Sequence, residues 1–138
     1  MNARTGALVV ERVLSATPNE VFDAWTTPSR MAAWMSPVGA AEAEVDLRVG
    51  GSFRVVMVEA RLEHRGEYLE IDRPSRLAFT WVSPFTGAEP SVVTLELHPH
   101  DDGTRVVLTY ERLPEDVVDG HRDGWGTMIK RLAGILAT

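Results

Sequence analysis

Hydrophobic and polar residues alternate along much of the chain with the two-residue period of a β-strand that buries one face. The pattern predicts a first strand over residues 7–14 and six later ones. The later strands are expected at 43–49, 52–60, 63–72, 76–82, 91–98 and 104–112. Glycine, proline and aspartate occupy the short connections between most of these runs, so neighbouring strands are expected to pair antiparallel.

Two short helices are predicted between the first and second strands. Thr17 has the position of an N-cap, Pro18 that of a first helical residue, and Glu20 completes a capping-box signature. This helix is expected to stop before Thr27. A second one begins at residues 28–29 and ends by Pro37.

The last predicted element is one long amphipathic helix. From Val117 to Leu136, apolar residues recur at steps of three and four, which places them on one helical face. Glycines at 120, 124, 126 and 134 interrupt it, and each costs about 1 kcal/mol relative to alanine inside a helix. The early glycines indicate a loose or kinked entry, or a close approach of the helix to the sheet.

This order of elements predicts an α+β fold in which one long helix covers a seven-stranded sheet. A single helix cannot cover seven strands, so a twisted sheet is expected to curl around it. The space left at one end, with the two short helices beside it, is where a ligand cavity would form.

The inward faces of the strands and of the last helix supply the predicted cavity walls. Trp81, Trp125, Phe79, Met57 and Tyr110 are expected as walls and Tyr68 as a polar contact, with an apolar or aromatic small molecule or lipid as ligand. The alternative is that the same residues form an ordinary filled core. The full predicted ligand-binding set is Phe53, Val55, Met57, Tyr68, Phe79, Trp81, Val93, Leu95, Tyr110, Trp125, Met128 and Leu132.

Catalysis in such a cavity would use His64, Tyr68 or Glu70, which lie at even spacing in one predicted strand. They share a face if no bulge intervenes. The alternative is that Glu70 pairs with Arg54 or Arg76, while His64 faces solvent. We expect binding rather than catalysis.

Composition excludes several other functions. The net charge of −6, with 20 acidic against 14 basic residues, argues against a nucleic-acid partner. The chain has no cysteine, hence no thiolate nucleophile. The cluster at 98–102 contains two histidines and two aspartates, but it is typical of a hairpin tip, and neither a metal nor a cofactor is expected. The sequence predicts neither a signal peptide nor a membrane span, so a cytoplasmic location is expected.

Several segments, in order, resemble one known family over nearly the whole chain. They are Ala16–Thr26, Trp34, Asp46–Arg54, Gly66–Ile71, Arg76–Trp81, Val93–Leu97, Gly103–Arg105 and Gly124-Trp125. They are similar to the activator of heat-shock-protein-90 ATPase homologues (AHSA-type), within the SRPBCC superfamily that includes START lipid-transfer domains.

The resemblance implies a single SRPBCC/START-like domain over residues 1–138 with the helix-grip, birch-pollen-allergen-like fold. That fold has a curved seven-stranded antiparallel sheet, two short helices and a long C-terminal helix. Since fold does not determine function, three hypotheses remain. The first is a small-molecule binding domain, the second a cyclase, dehydratase or hydrolase using the same cavity, and the third a chaperone-interaction module. A homodimer is a further possibility.

Overall fold

The protein is described here by a computed structural model that covers residues 5–86 and 90–136. Over these residues the chain forms one seven-stranded antiparallel sheet with strand order β1-β7-β6-β5-β4-β3-β2. Two short helices and one long helix complete the α+β helix-grip fold, which confirms the predicted fold class. The elements are β1 (Thr5–Leu14), α1 (Pro18–Thr26), α2 (Pro28–Trp34), β2 (Ala41–Val45), β3 (Ser52–Met57), β4 (Leu62–Asp72), β5 (Arg76–Trp81), β6 (Ser91–His100), β7 (Gly103–Pro114) and α3 (Val118–Leu136), with a 3-10 turn at Glu115–Val117 before α3.

The second and third strands end earlier than the sequence pattern predicts. β2 stops at Val45 because the chain then turns through residues 46–51, where Gly50 has a φ of +84°. β3 stops at Met57 because a turn follows, in which the Arg61 amide donates to the Val58 carbonyl and Arg61 has a φ of 55°. Both predicted strands therefore included turn residues.

The helices begin where the sequence predicts. The side chain of Thr17 accepts a hydrogen bond of 3.2 Å from the Glu20 amide at the start of α1. Helix α3 is continuous from Val118, and a methyl group placed on Gly120 or Gly124 would meet no neighbouring atom within 4 Å. The expectation that these glycines allow a close approach of the helix to the sheet is therefore wrong. Over the described residues, no helix has the length and apolar character needed to cross a bilayer.

The position of α3 decides where space remains. The helix packs along β1 at one edge of the sheet, and Val118 lies against Gly6 there. Its C-terminal half is buried through Ile129 and Leu132, and Arg131 ties it to the segment between α2 and β2. A gap therefore separates the N-terminal half of α3 from the last residues of β3 and β5 and from the first residues of β4.

The Arg131 contact leads to a first prediction. Its Nη1 donates to the carbonyl oxygens of Ser36 and Gly39, the latter at 2.8 Å. Arg131→Met keeps the apolar stem but leaves both carbonyls without this donor, so we expect the free energy of unfolding to fall by about 1.5 kcal/mol. Urea denaturation measures this change. Arg122→Met is the control, because Arg122 forms an exposed ion pair with Asp119, worth well under about 1 kcal/mol. Equal losses in the two variants would contradict the anchoring role.

Candidate ligand-binding pocket

An open pocket of about 370 Å³ occupies the gap under the N-terminal half of α3. It lies where β3 and β5 end and β4 begins, which are the same end of the antiparallel sheet. A volume of this size falls in the range of small-molecule sites. Its lining residues are Pro37, Met57, Leu62, His64, Trp81, Phe85, Asp116, Val117, Gly120, His121, Gly124, Trp125 and Met128.

Helix α3 supplies one wall through residues on successive turns of a single face. Gly120, Gly124 and Met128 are four residues apart, and His121 and Trp125 lie beside them. Because the two glycines carry no side chain and nothing lies within 4 Å of their Cβ positions, this face leaves the pocket unfilled. The glycines therefore determine how much space the helix leaves.

The floor of the pocket is aromatic. The ring of Trp81 stacks on that of His64, with centroids 4.6 Å apart and an interplanar angle of 30°. On its other side Trp81 meets Trp125 at 5.1 Å. All three side chains are at least 95% buried. Because so little of Trp81 and Trp125 is exposed, these rings border the pocket but present little free ring surface to it.

His64 is the most unusual polar group in the pocket. It is 5% exposed, and within the described part of the chain its Nδ1 has no hydrogen-bond partner. Burial lowers the pKa of His64 to about 4, an effect larger than the opposing one of the Val55 and Leu62 carbonyls, and the nearby His121 lowers it further. The imidazole is therefore neutral near pH 7. An unpaired buried polar atom of this kind costs about 1–3 kcal/mol.

His121 offers a second imidazole in a defined orientation. Its Nδ1 lies 2.9 Å from the carbonyl oxygen of Val117, one turn earlier in the chain. Because a carbonyl only accepts, Nδ1 carries the proton, and in the neutral ring Nε2 is then an acceptor. The ring also meets Tyr110 edge-on, with centroids 5.4 Å apart. The sequence shows no partner for His121; the structure places it in the pocket wall.

The structure divides the predicted ligand-binding set into two groups. Met57, Trp81, Trp125 and Met128 line the pocket. The other members are buried away from it. These are Phe53, Val55, Tyr68, Phe79, Val93, Leu95, Tyr110 and Leu132.

The short helices fill the end of the sheet where the sequence places the cavity. Trp25, Met31 and Met35 pack there against Phe53, Tyr68, Phe79 and Trp81, and the space left is about 10 Å³, at or below the volume one water needs. At this end the alternative of an ordinary filled core describes the structure. The open space lies on the other side of Trp81, toward α3.

The three residues proposed for catalysis do not come together. A register shift between Tyr68 and Glu70 breaks the even spacing, so Glu70 does not share the inward face. Arg76 Nε instead donates to Glu70 at 2.8 Å, which is the pairing weighed as the alternative. Tyr68 lies in the filled core, where burial raises the pKa of its hydroxyl. Only His64 lines the pocket, and the expectation that it faces solvent is wrong.

Two further polar groups belong to the core or the surface. The hydroxyls of Tyr110 and Ser91 lie 2.8 Å apart, and Ser91 donates to the Trp81 carbonyl, so this pair fixes the edge of β5. Burial raises the pKa of Tyr110.

At the tip of the β6–β7 hairpin, Nε2 of His100 lies 3.6 Å from Oδ2 of Asp101. Across the residues that the structure describes, no group of three His, Asp or Glu side chains could hold a metal ion.

Sequence reasoning missed several lining residues. Leu62 and Phe85 lie at a strand start and in a loop, where no periodic pattern marks them. Gly120 and Gly124 did carry a signal, since two glycines one helical turn apart on an apolar face predict a missing side-chain layer. The alternative of close packing against the sheet explains the same spacing, so the sequence could not decide between them.

Comparison with known proteins supports this architecture. The profile described as "Activator of Hsp90 ATPase homolog 1-like protein" matches residues 15–137. The structure of CV1439 from Chromobacterium violaceum is 26% identical, with a TM-score of 0.80 over 96% of this chain and 97% of that one. CalU16 from Micromonospora echinospora is also 26% identical, with a TM-score of 0.76 over 98% of this chain and 84% of that one.

A third structure, an HSP90 activator from Plasmodium falciparum, is 23% identical, with a TM-score of 0.79 over 95% of this chain and 96% of that one. This likeness shows the fold alone. No functionally curated protein matches the sequence.

Proposed function

The chain belongs to the activator of Hsp90 ATPase homolog 1-like family, and we propose that its pocket under α3 binds a small apolar or aromatic molecule. The observation that carries the proposal is the open pocket of about 370 Å³ floored by Trp81 and Trp125. The pocket is open and its lining is mostly apolar, and a ligand that covers this lining would remove the cost of leaving it in water.

The contrast between the two ends of the sheet supports the same proposal. Toward α1 and α2, side chains fill the interior to about 10 Å³, whereas toward α3 the helix presents Gly120 and Gly124 over the aromatic floor. Neither glycine has a positive φ, so the backbone does not demand glycine at these positions. Larger residues would be better helix formers there and would occupy the pocket.

Binding fits the geometry better than catalysis does. A cyclase, dehydratase or hydrolase needs groups that can exchange protons with the ligand. Glu70 is paired with Arg76 outside the pocket, and Tyr68 lies in the filled core. His64 does line the pocket, but its pKa of about 4 leaves it without an acidic proton to donate near pH 7. The chaperone-contact hypothesis rests on the family description and on the Plasmodium relative. It would use the protein surface, so its test is separate from that of the pocket.

An uncharged fluorophore tests the proposal directly. We expect phenylnaphthylamine to bind, to quench tryptophan emission through Trp81 and Trp125, and to stabilise the fold, because a ligand of the folded state alone raises its stability. At a concentration about ten times Kd the gain is about 1.4 kcal/mol, or roughly 5 °C in Tm. A melting curve measures this. No shift with this or any other uncharged aromatic compound of similar size would contradict the proposal.

A further inference from the structure

We propose that the pocket selects uncharged aromatic molecules that carry a hydroxyl group, and that this hydroxyl donates a hydrogen bond to Nε2 of His121. This inference rests on the proposed function, since it names the class of ligand that the same pocket takes. Three features support it: the charge of the lining, the state of the two imidazoles and the shape of the floor.

The lining argues against an anionic ligand such as a fatty acid. Within the described residues, no lysine or arginine lines the pocket, and its one carboxylate, Asp116, is exposed at the 3-10 turn before α3. A ligand carboxylate would lose its hydration without gaining a cationic partner. The lining therefore disfavours an anionic ligand.

The two imidazoles supply hydrogen-bonding capacity that the protein does not use. Nδ1 of His121 is bonded to the Val117 carbonyl, which leaves Nε2 as an acceptor in the neutral ring. His64 adds a polar atom without a partner, although its side chain is 95% buried. Both rings line the pocket, and they are close enough that a proton on His121 disfavours one on His64. Because Nδ1 of His64 is enclosed by protein atoms, the hydroxyl meets His121 and donates to its Nε2.

The other residues that line the pocket determine which kind of ligand carries the hydroxyl group. The rings of His64 and Trp81 are stacked, and Trp125 continues the apolar surface toward α3. Apolar side chains make up most of the remaining lining, and an aromatic ring that shares the pocket with His121 can place a hydroxyl at its edge against Nε2. An aromatic alcohol or phenol therefore combines both requirements.

Competition among three ligands of one shape tests the selection. Naphthalene, naphthol and naphthoate are each used to displace phenylnaphthylamine from the full chain at neutral pH. We expect naphthol to bind roughly tenfold tighter than naphthalene, as for one net hydrogen bond of about 1.4 kcal/mol, and naphthoate to bind most weakly. Without an acceptor in the pocket, the order of naphthol and naphthalene would reverse, because the buried hydroxyl would be unpaired.

Substitution of His121 tests whether this residue causes the preference for naphthol over naphthalene. His121→Leu removes the acceptor, so the ratio of the naphthalene Kd to the naphthol Kd is expected to fall to one or below. His98→Leu is the matched control, since His98 is exposed on β6, and it should keep the wild-type ratio. A wild-type ratio near one, an unchanged ratio in His121→Leu, or tightest binding of naphthoate would overturn the inference while leaving the pocket a binding site. Failure of the fluorophore itself to bind would instead contradict the proposed function.

Discussion

Gly124→Leu is expected to weaken phenylnaphthylamine binding by roughly a hundredfold while making the folded protein more stable. The new side chain would enter the pocket over Trp125, because no atom lies within 4 Å of the Cβ position and Gly124 is part of the lining. If the new side chain prevents the ligand from burying roughly 100 Å² of its own apolar surface, the binding free energy weakens by about 2.5 kcal/mol, at about 25 cal/mol per Å². Leucine is a better helix former than glycine by about 0.8 kcal/mol, so the free energy of unfolding should rise by that amount.

Gly126→Leu is the matched control for this experiment. Gly126 lies in the same helix and also has nothing within 4 Å of its Cβ position, but it does not line the pocket. It should gain the same helix stability and keep wild-type affinity. Fluorescence titration and urea denaturation measure the two quantities. Affinity that is unchanged in Gly124→Leu, or lost equally in both variants, would show that the ligand does not lie under α3.

Lowering the pH from 6.5 to 4 is expected to reduce the free energy of unfolding of the wild-type protein by about 3 kcal/mol more than that of the His64→Phe variant. The folded-state pKa of His64 is about 4, below the ordinary value of 6.5, because burial disfavours the charged ring. In this interval the unfolded chain binds a proton at residue 64 that the folded chain does not. The stability contribution is therefore fully present above pH 6.5 and is lost as the pH falls toward 4.

The comparison with a variant is needed because carboxylates also titrate in this range. Urea denaturation across the interval, without ligand, gives the difference in slope between wild type and His64→Phe. Phenylalanine keeps a planar ring against Trp81, and it removes the unpaired Nδ1. His98→Gln, at an exposed position, should retain the wild-type dependence. If His64→Phe loses stability as steeply as wild type, the buried neutral state of His64 is refuted.

The fold was largely predictable from local patterns. Alternation marked the strands, the Thr17 capping box marked α1, and the spacing of apolar residues marked α3. Strand ends were harder, because Val49 and Val58 continue an apolar pattern into turns. The turn at Val58–Arg61 requires a positive φ at Arg61, a residue type that gives no warning of it.

The pocket was predicted less well, for two physical reasons. Inward-facing strand residues all look alike in sequence, and only the packing of α1 and α2 decides that Tyr68 and Phe79 meet side chains rather than a ligand. The register shift after Tyr68 is also invisible in the pattern, so the sequence left open whether Glu70 shares the inward face or pairs with an arginine, and the structure has the pairing with Arg76. Trp81 and Trp125 were found because a buried tryptophan borders any cavity near it over a wide area.

The most direct test of the pocket uses three of the four tryptophan side chains as reporters. Trp81 and Trp125 line it, whereas Trp34 lies outside and donates from Nε1 to the Ala24 carbonyl at 3.0 Å. In an NMR titration of the indole N–H resonances with naphthol, Trp81 and Trp125 should shift together in a saturable manner while Trp34 stays unchanged. Unshifted Trp81 and Trp125 signals at saturating naphthol, or a shift confined to Trp34, would contradict a ligand site under α3.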